Sequence, residues 1–140
     1  MKHQIIFVVF LIVFNSCSKE TVTIDNSGYF GKWNLVSMSG SLHNSEVTGT
    51  AMAWQEFYLF NANGTFTKTR ESKSVITTLS GTYTTTSQED GTSFELKYPN
   101  DSEIIGSCFG NKKEILLLTA NNSLSSTWNF CDGPSLKYRK

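Results

Sequence analysis

The chain has 140 residues, twelve basic and twelve acidic side chains, and a formal net charge of zero at pH 7. That length holds one domain, and the balanced charge excludes a dedicated nucleic-acid surface, which would show a basic excess or stripe. With 17% charged and 13% aromatic residues, global disorder is excluded as well.

Residues 1–16 differ from everything after them. Lys2 and His3 give a basic start, Ile5 to Phe14 is an unbroken apolar run, and Asn15 and Ser16 are small and polar. A membrane span needs about 20 apolar residues, so this run is too short to cross and predicts a cleavable export signal. The ending Phe14-Asn15-Ser16-Cys17 resembles the lipobox of bacterial lipoproteins, with Phe14 where Leu is usual. The resemblance implies cleavage before Cys17, which becomes lipidated and anchors the chain to the membrane. In an ordinary signal peptide, Cys17 would be incidental. Acyl burial contributes about 0.8 kcal/mol per CH₂, so two or more chains anchor stably. Ser18 to Gly28 is polar and predicts a flexible tether, making 17–28 one segment. Lys19-Glu20 faintly resembles the sorting signals of surface-exposed Bacteroidetes lipoproteins, but an ordinary pair of solvated linker charges is the better reading.

From Tyr29 onward, turn chemistry recurs at Asn63-Gly64, Asp90-Gly91, Pro99-Asn100-Asp101, Gly110-Asn111, Asn121-Asn122 and Asp132-Gly133-Pro134. Gly and Asn accept the positive φ of tight turns, and this spacing leaves no room for crossover helices. The predicted strands are 32–38, 53–60, 65–71, 74–86 as one or two pieces, 93–98, 103–108, 114–119, 125–130 and 135–140. Ser93 to Tyr98 alternates strictly, with Phe94, Leu96 and Tyr98 on one face. In Thr65 to Arg70 only Phe66 is apolar, while 53–60 and 115–118 are apolar on both faces. Gly81 reads as a bulge or kink, and Ser41 to Thr50 has room for one short helical turn. The fold class is all-β, an antiparallel up-and-down β-barrel of about eight strands, closed so that no edge is left to aggregate.

Gly31-Lys32-Trp33 opening the first strand, the hairpin from Phe57 to Phe66 around Asn63-Gly64-Thr65-Phe66, and Ser80-Gly81-Thr82-Tyr83 together resemble lipocalins. With the lipobox, the layout over 29–140 looks like the lipocalin-like (calycin) domain of small Bacteroidetes lipoproteins. The resemblance implies that Trp33 plugs one barrel end beneath a basic residue of the last strand, Arg139, with Lys140 as alternate. It departs from classical lipocalins in lacking the helix that packs on the barrel.

Three Cys are present. If Cys17 carries lipid, Cys108 and Cys131 form an even pair suited to one disulfide in an oxidising compartment; two buried free thiols are the alternative. No His/Cys cluster has metal-ligand spacing and no Gly-rich phosphate loop precedes a helix, so no cofactor or metal is expected. His43 sits in a polar loop with Asn44, Ser45 and Glu46, where a surface histidine is a better reading than a triad member. Asp101 and Glu103 read as a solvated turn rather than a glycosidase pair. No residue set supports a catalytic mechanism.

The functional candidates are therefore Trp54, Tyr58, Phe66, Tyr83, Phe94, Leu96, Tyr98 and Trp128. They line a cup if the barrel is hollow and fill a core if it is not. The hollow barrel leads to a membrane-anchored lipoprotein of the bacterial outer membrane, periplasmic or surface-exposed, holding a small hydrophobic or amphipathic ligand. The filled barrel leads to a cell-envelope protein-interaction or inhibitor module that presents loops such as 39–52.

Overall fold

Strict alternation, Thr-rich segments and Asn-Gly turns build nine strands in the computed structural model, which describes residues 28–110 and 112–140. The predicted export signal, Cys17 and the tether before Gly28 lie outside the described residues. The strands are β1 (Gly31–Ser39), β2 (Val47–Thr48), β3 (Gln55–Phe60), β4 (Thr65–Ser72), β5 (Val75–Gln88), β6 (Gly91–Lys97), β7 (Lys113–Thr119), β8 (Ser123–Ser126) and β9 (Ser135–Arg139). Every pairing is antiparallel. β1 and β3 to β9 follow one another around the sheet and β9 pairs back onto β1, closing an eight-stranded up-and-down barrel. The two-residue β2 lies beside β1 at its outer end.

The register fixes which side chains point inward. Pairing of Tyr58 with both Trp33 and Lys68, and of Phe60 with Phe66, puts those positions on one face. In β1 a bulge between Leu35 and Ser37 inserts Val36, so the inward set runs Trp33, Leu35, Met38 instead of continuing on odd numbers. On the outer face of β3, Phe57 is covered by Lys32, whose ammonium lies 4.0 Å from the ring centre, while Leu59 is exposed.

Three sequence expectations are corrected. Residues 103–108 form no strand; the connection between β6 and β7 folds across one barrel mouth, with Ile104 and Gly106 buried inward. Residues 125–130 split, because β8 ends at Ser126 and a 3₁₀ turn follows at Trp128–Cys131. Gly81 marks no bulge, since β4 and β5 pair without a break from Ser72/Val75 to Thr65/Thr82. It is instead a close approach: a Cβ there would lie 2.1 Å from the carbonyl oxygen of Lys97 and 2.8 Å from the Phe66 ring. The short turn anticipated within 41–50 is a 3₁₀ turn at Gly49–Ala51.

Strand direction gives the barrel two unlike poles. At the basal pole lie the chain entry at residue 28, the tight connections 61–64, 89–90 and 120–122, and the end of β9. At the distal pole lie the long connections 40–54, 98–112 and 127–134 and the β4–β5 hairpin. The disulfide joins two of the long connections, with Cys108 and Cys131 at an S–S distance of 2.12 Å.

Candidate functional site

The lower half of the barrel is filled by rings. Tyr58, Phe66 and Phe94 are each 1% exposed and Leu96 is fully buried. Ring centres meet across the interior, 5.1 Å apart for Tyr58 and Tyr138, 5.2 Å for Phe60 and Phe94, and 5.0 Å for Phe66 and Tyr98. Tyr83 joins this packing against Phe60, and its hydroxyl donates to the Asn61 carbonyl at 2.7 Å. Of the sequence candidates, Tyr58, Phe66, Tyr83, Phe94, Leu96 and Tyr98 belong to the side-chain filling.

Trp33 occupies the basal end, fully buried, its indole N–H donating to the Tyr29 carbonyl at 2.7 Å. The basic residue over it is the alternate one. Lys140 places its ammonium 5.6 Å from the Trp33 ring centre and donates to the Gly28 carbonyl, whereas Arg139 is exposed. Alternation explains the difference: Tyr138 points inward, so Arg139 on the same strand points out, and Lys140 follows the strand's end.

The distal half of the interior is charged, which the sequence reading missed. Lys68 and Arg70 share the inward face of β4 with Phe66, Glu56 shares that of β3 with Tyr58, and Glu114 shares that of β7 with Leu116. Lys68 Nζ lies 2.6 Å from Glu114 Oε1 and 3.5 Å from Glu56 Oε1, and Arg70 Nε donates to Glu56 Oε2 at 2.5 Å. Tyr138 donates to Glu56 at 2.5 Å, while Tyr58 donates to Glu114 at 3.0 Å and Tyr98 donates to the same oxygen. Two carboxylates thus face two cations and three phenols, so the desolvated charges balance. Burial, and then the Glu114 carboxylate, hold the Tyr58 and Tyr98 hydroxyls well above the usual phenol range; burial and then Glu56 do so for Tyr138. The available signal was the period of two: Lys68 and Arg70 fall on the face that Phe66 marks as inward.

The β6–β7 connection closes this network from above. Its Gly106 N–H donates to Glu114 Oε1 at 2.5 Å, and its Ile104 carbonyl accepts from Arg70 Nη2 at 3.2 Å. The disulfide ties this lid to the 3₁₀ turn, where half-buried Trp128 lies between two glycines. A Cβ on Gly106 would come within 2.6 Å of the Trp128 ring, and one on Gly133 within 2.4 Å. Trp128 is thus the seat of the lid, not part of a cup.

Trp54 stands at the rim. Its ring centre lies 4.2 Å from the Arg70 guanidinium carbon, and its indole N–H is buried without an acceptor among the described residues. It lines a cleft of about 290 Å³ with Arg70, Val75, Thr77, Glu103 and Ile104. His43 is exposed on the 40–46 connection beside Ser41, Asn44 and Glu46. Asp101 is exposed, and Glu103 belongs to the cleft rim rather than to a carboxylate pair. Among the described residues no group of three His, Cys, Asp or Glu side chains is placed to hold a metal ion. No protein-family model, curated protein or solved structure matches the chain.

Proposed function

We propose that this chain is a lipid-tethered, lipocalin-like envelope protein that works as a protein-interaction module through its distal loops. The observation that carries the reading is the polarity of the barrel. The chain enters at the pole of short turns, while the long connections gather at the other. Lipidation of Cys17 would leave eleven residues to Gly28, a span of at most roughly 40 Å at about 3.3–3.6 Å each. The distal loops then face away from the membrane, on a barrel whose nine-residue β1 rises about 30 Å before tilt.

The surface of that pole suits a partner protein. Leu42, Val75, Ile76, Phe109 and Phe130 are its large exposed apolar side chains, and Phe130 is 76% exposed. Phe109 and Phe130 flank the disulfide, whose Cα atoms are 5.6 Å apart. With about 3.8 Å per residue step, their own Cα atoms lie within roughly 13 Å of each other. Aromatic side chains held on a cross-linked frame lose little entropy on docking, which is where interface hot spots concentrate. The ring-filled interior supports this reading over a ligand held inside the barrel.

The test is site-specific photo-crosslinking in the producing cell envelope. A photoreactive residue at Phe130 should give a discrete protein adduct, lost on Phe109→Ser substitution, whereas one at Asn63 on the basal pole should give none. Equal adducts at both poles, or none at Phe130, would sink the proposal. For the anchor, Cys17→Ser should abolish fatty-acid labelling and release the protein from the membrane fraction.

A further inference from the structure

We propose that the distal disulfide is a redox latch: a dithiol protein docks on Phe109 and Phe130, reduces the Cys108–Cys131 bond and frees the lid. The docking face is the one proposed above, so this rests on that reading and adds the partner's chemistry. Cys108 and Cys131 are both exposed, as are Phe109 at 52% and Phe130 at 76%. Exposed disulfides are the labile and regulatory class, because exchange requires a thiolate to reach one of the two sulfurs. Here the bond lies at the surface between two rings, and the Lys113 ammonium, 4.8 Å from the Phe109 ring centre, steadies one of them. An apolar surface around a partner's thiol meets the sulfurs and the rings in one docking event.

The chain carries no Cys-X-X-Cys pair, so it is the substrate of the exchange and not the oxidoreductase. One thiolate of the partner attacks the sulfur of Cys108 or Cys131, forming a mixed disulfide and expelling the other cysteine as thiolate; the partner's second thiolate then breaks the mixed disulfide. Two electrons pass to this chain, the partner leaves as its own disulfide, and its two thiol protons end on Cys108 and Cys131. Both new thiols have acceptors in place, Cys108 Sγ 3.5 Å from the Thr127 carbonyl oxygen and Cys131 Sγ 3.4 Å from that of Trp128. The lid then keeps only non-covalent holds: the Gly106 N–H on Glu114, the Arg70 guanidinium on the Ile104 carbonyl, and the burial of Ile104. The ladder that closes the barrel does not pass through the disulfide. Reduction therefore loosens the mouth over Glu114 and Arg70 and leaves the strands paired.

Reduction of the purified full-length protein in detergent tests this, with thioredoxin as the dithiol protein, dithiothreitol as the small dithiol, and free thiols followed by alkylation and mass spectrometry. Dithiothreitol should reduce the Cys108–Cys131 bond without denaturant. The double variant Phe109→Ser/Phe130→Ser, changed only at the surface, should slow reduction by thioredoxin at least about tenfold while its rate with dithiothreitol stays within about twofold of the parent. In the reduced protein the Gly106 N–H should exchange at least about tenfold faster, with the β6–β7 ladder still protected. A bond that dithiothreitol leaves intact in the folded protein, equal thioredoxin rates for parent and double variant, or unchanged Gly106 exchange after reduction would each overturn the proposal. None of these results bears on the photo-crosslink at Phe130, and absence of that adduct sinks the partner reading without changing a reduction rate, so the two failures are told apart.

Discussion

Lys68 Nζ sits 2.6 Å from Glu114 Oε1, with the lysine fully buried and the glutamate 1% exposed, where the ring-packed half of the barrel meets its charged half. A charge pair there is stable only as a pair. Its Coulomb attraction roughly offsets the desolvation of both groups, whereas either group alone retains its own penalty. Lys68→Met and Glu114→Gln should each lower the unfolding free energy by about 3–5 kcal/mol in urea denaturation. The double substitution should recover most of that loss, because the amide left by Glu114→Gln can turn its carbonyl oxygen to the Gly106 N–H and its NH₂ to the Tyr58 and Tyr98 hydroxyl oxygens, which rotate to accept. Additive losses in the double variant would contradict the pairing.

The three phenols of the network make stability sensitive to alkali. Tyr58, Tyr98 and Tyr138 have their pKa raised above the ordinary 10.0 in the fold, first by burial and then by Glu114 or Glu56. A raised folded-state pKa means that the native state keeps its protons where the unfolded chain releases them. Their contribution is therefore complete below pH 10 and declines above it, by about 1.4 kcal/mol per pH unit for each phenol. Absorbance titration should show these tyrosines ionising only together with unfolding. A smooth, reversible titration of all five tyrosines near pH 10 in the folded protein would refute this.

Cys108 and Cys131, 23 residues apart, clasp the lid to the Trp128 turn. On the chain-entropy model, replacing both with Ser should cost about 3.5 kcal/mol. Amide exchange adds a spatial expectation: Gly106 N–H, held by Glu114 across the mouth, should lose protection before the β6–β7 ladder does. Uniform loss of protection across the barrel would count against a lid that opens on its own.

At the basal pole, Lys140 and Arg139 are adjacent in sequence and opposite in role. Lys140→Ala removes the cation over Trp33 and the bond to the Gly28 carbonyl, and should cost up to about 1 kcal/mol. Arg139→Ala should stay within about 0.5 kcal/mol of the parent, as ordinary surface changes do. Thermal unfolding of the two variants compares them directly, and a larger shift for Arg139→Ala would return the closure role to the arginine.

The exchange of Arg139 for Lys140 shows where linear reading stops. Alternation, turn residues and Thr-rich strands are local properties, and they already specify an all-β meander of eight or so strands. The two cysteines that remain once Cys17 is assigned to the predicted lipid anchor likewise suffice to propose the disulfide that joins two distal connections. Elements held by partners distant in sequence carry no such local signal. Residues 103–108 look like a strand because they carry Ile104 and Ile105, yet their backbone is claimed by Arg70 and Glu114 rather than by a ladder.

Sequence alone determined the class of fold, the approximate number of strands and much of the inward-facing aromatic set, because side-chain alternation follows from backbone geometry within each strand. Tertiary structure decided what those inward residues do. Alternation with Phe66 already turns Lys68 and Arg70 inward, but only closure of the barrel places Glu56 and Glu114 opposite them. Charge complementarity between strands that are 46 residues apart, as Lys68 and Glu114 are, leaves no local trace. The same closure brings Trp54, Arg70 and Glu103 from three separate segments to one rim, and sets the long loops at the pole opposite the chain's entry.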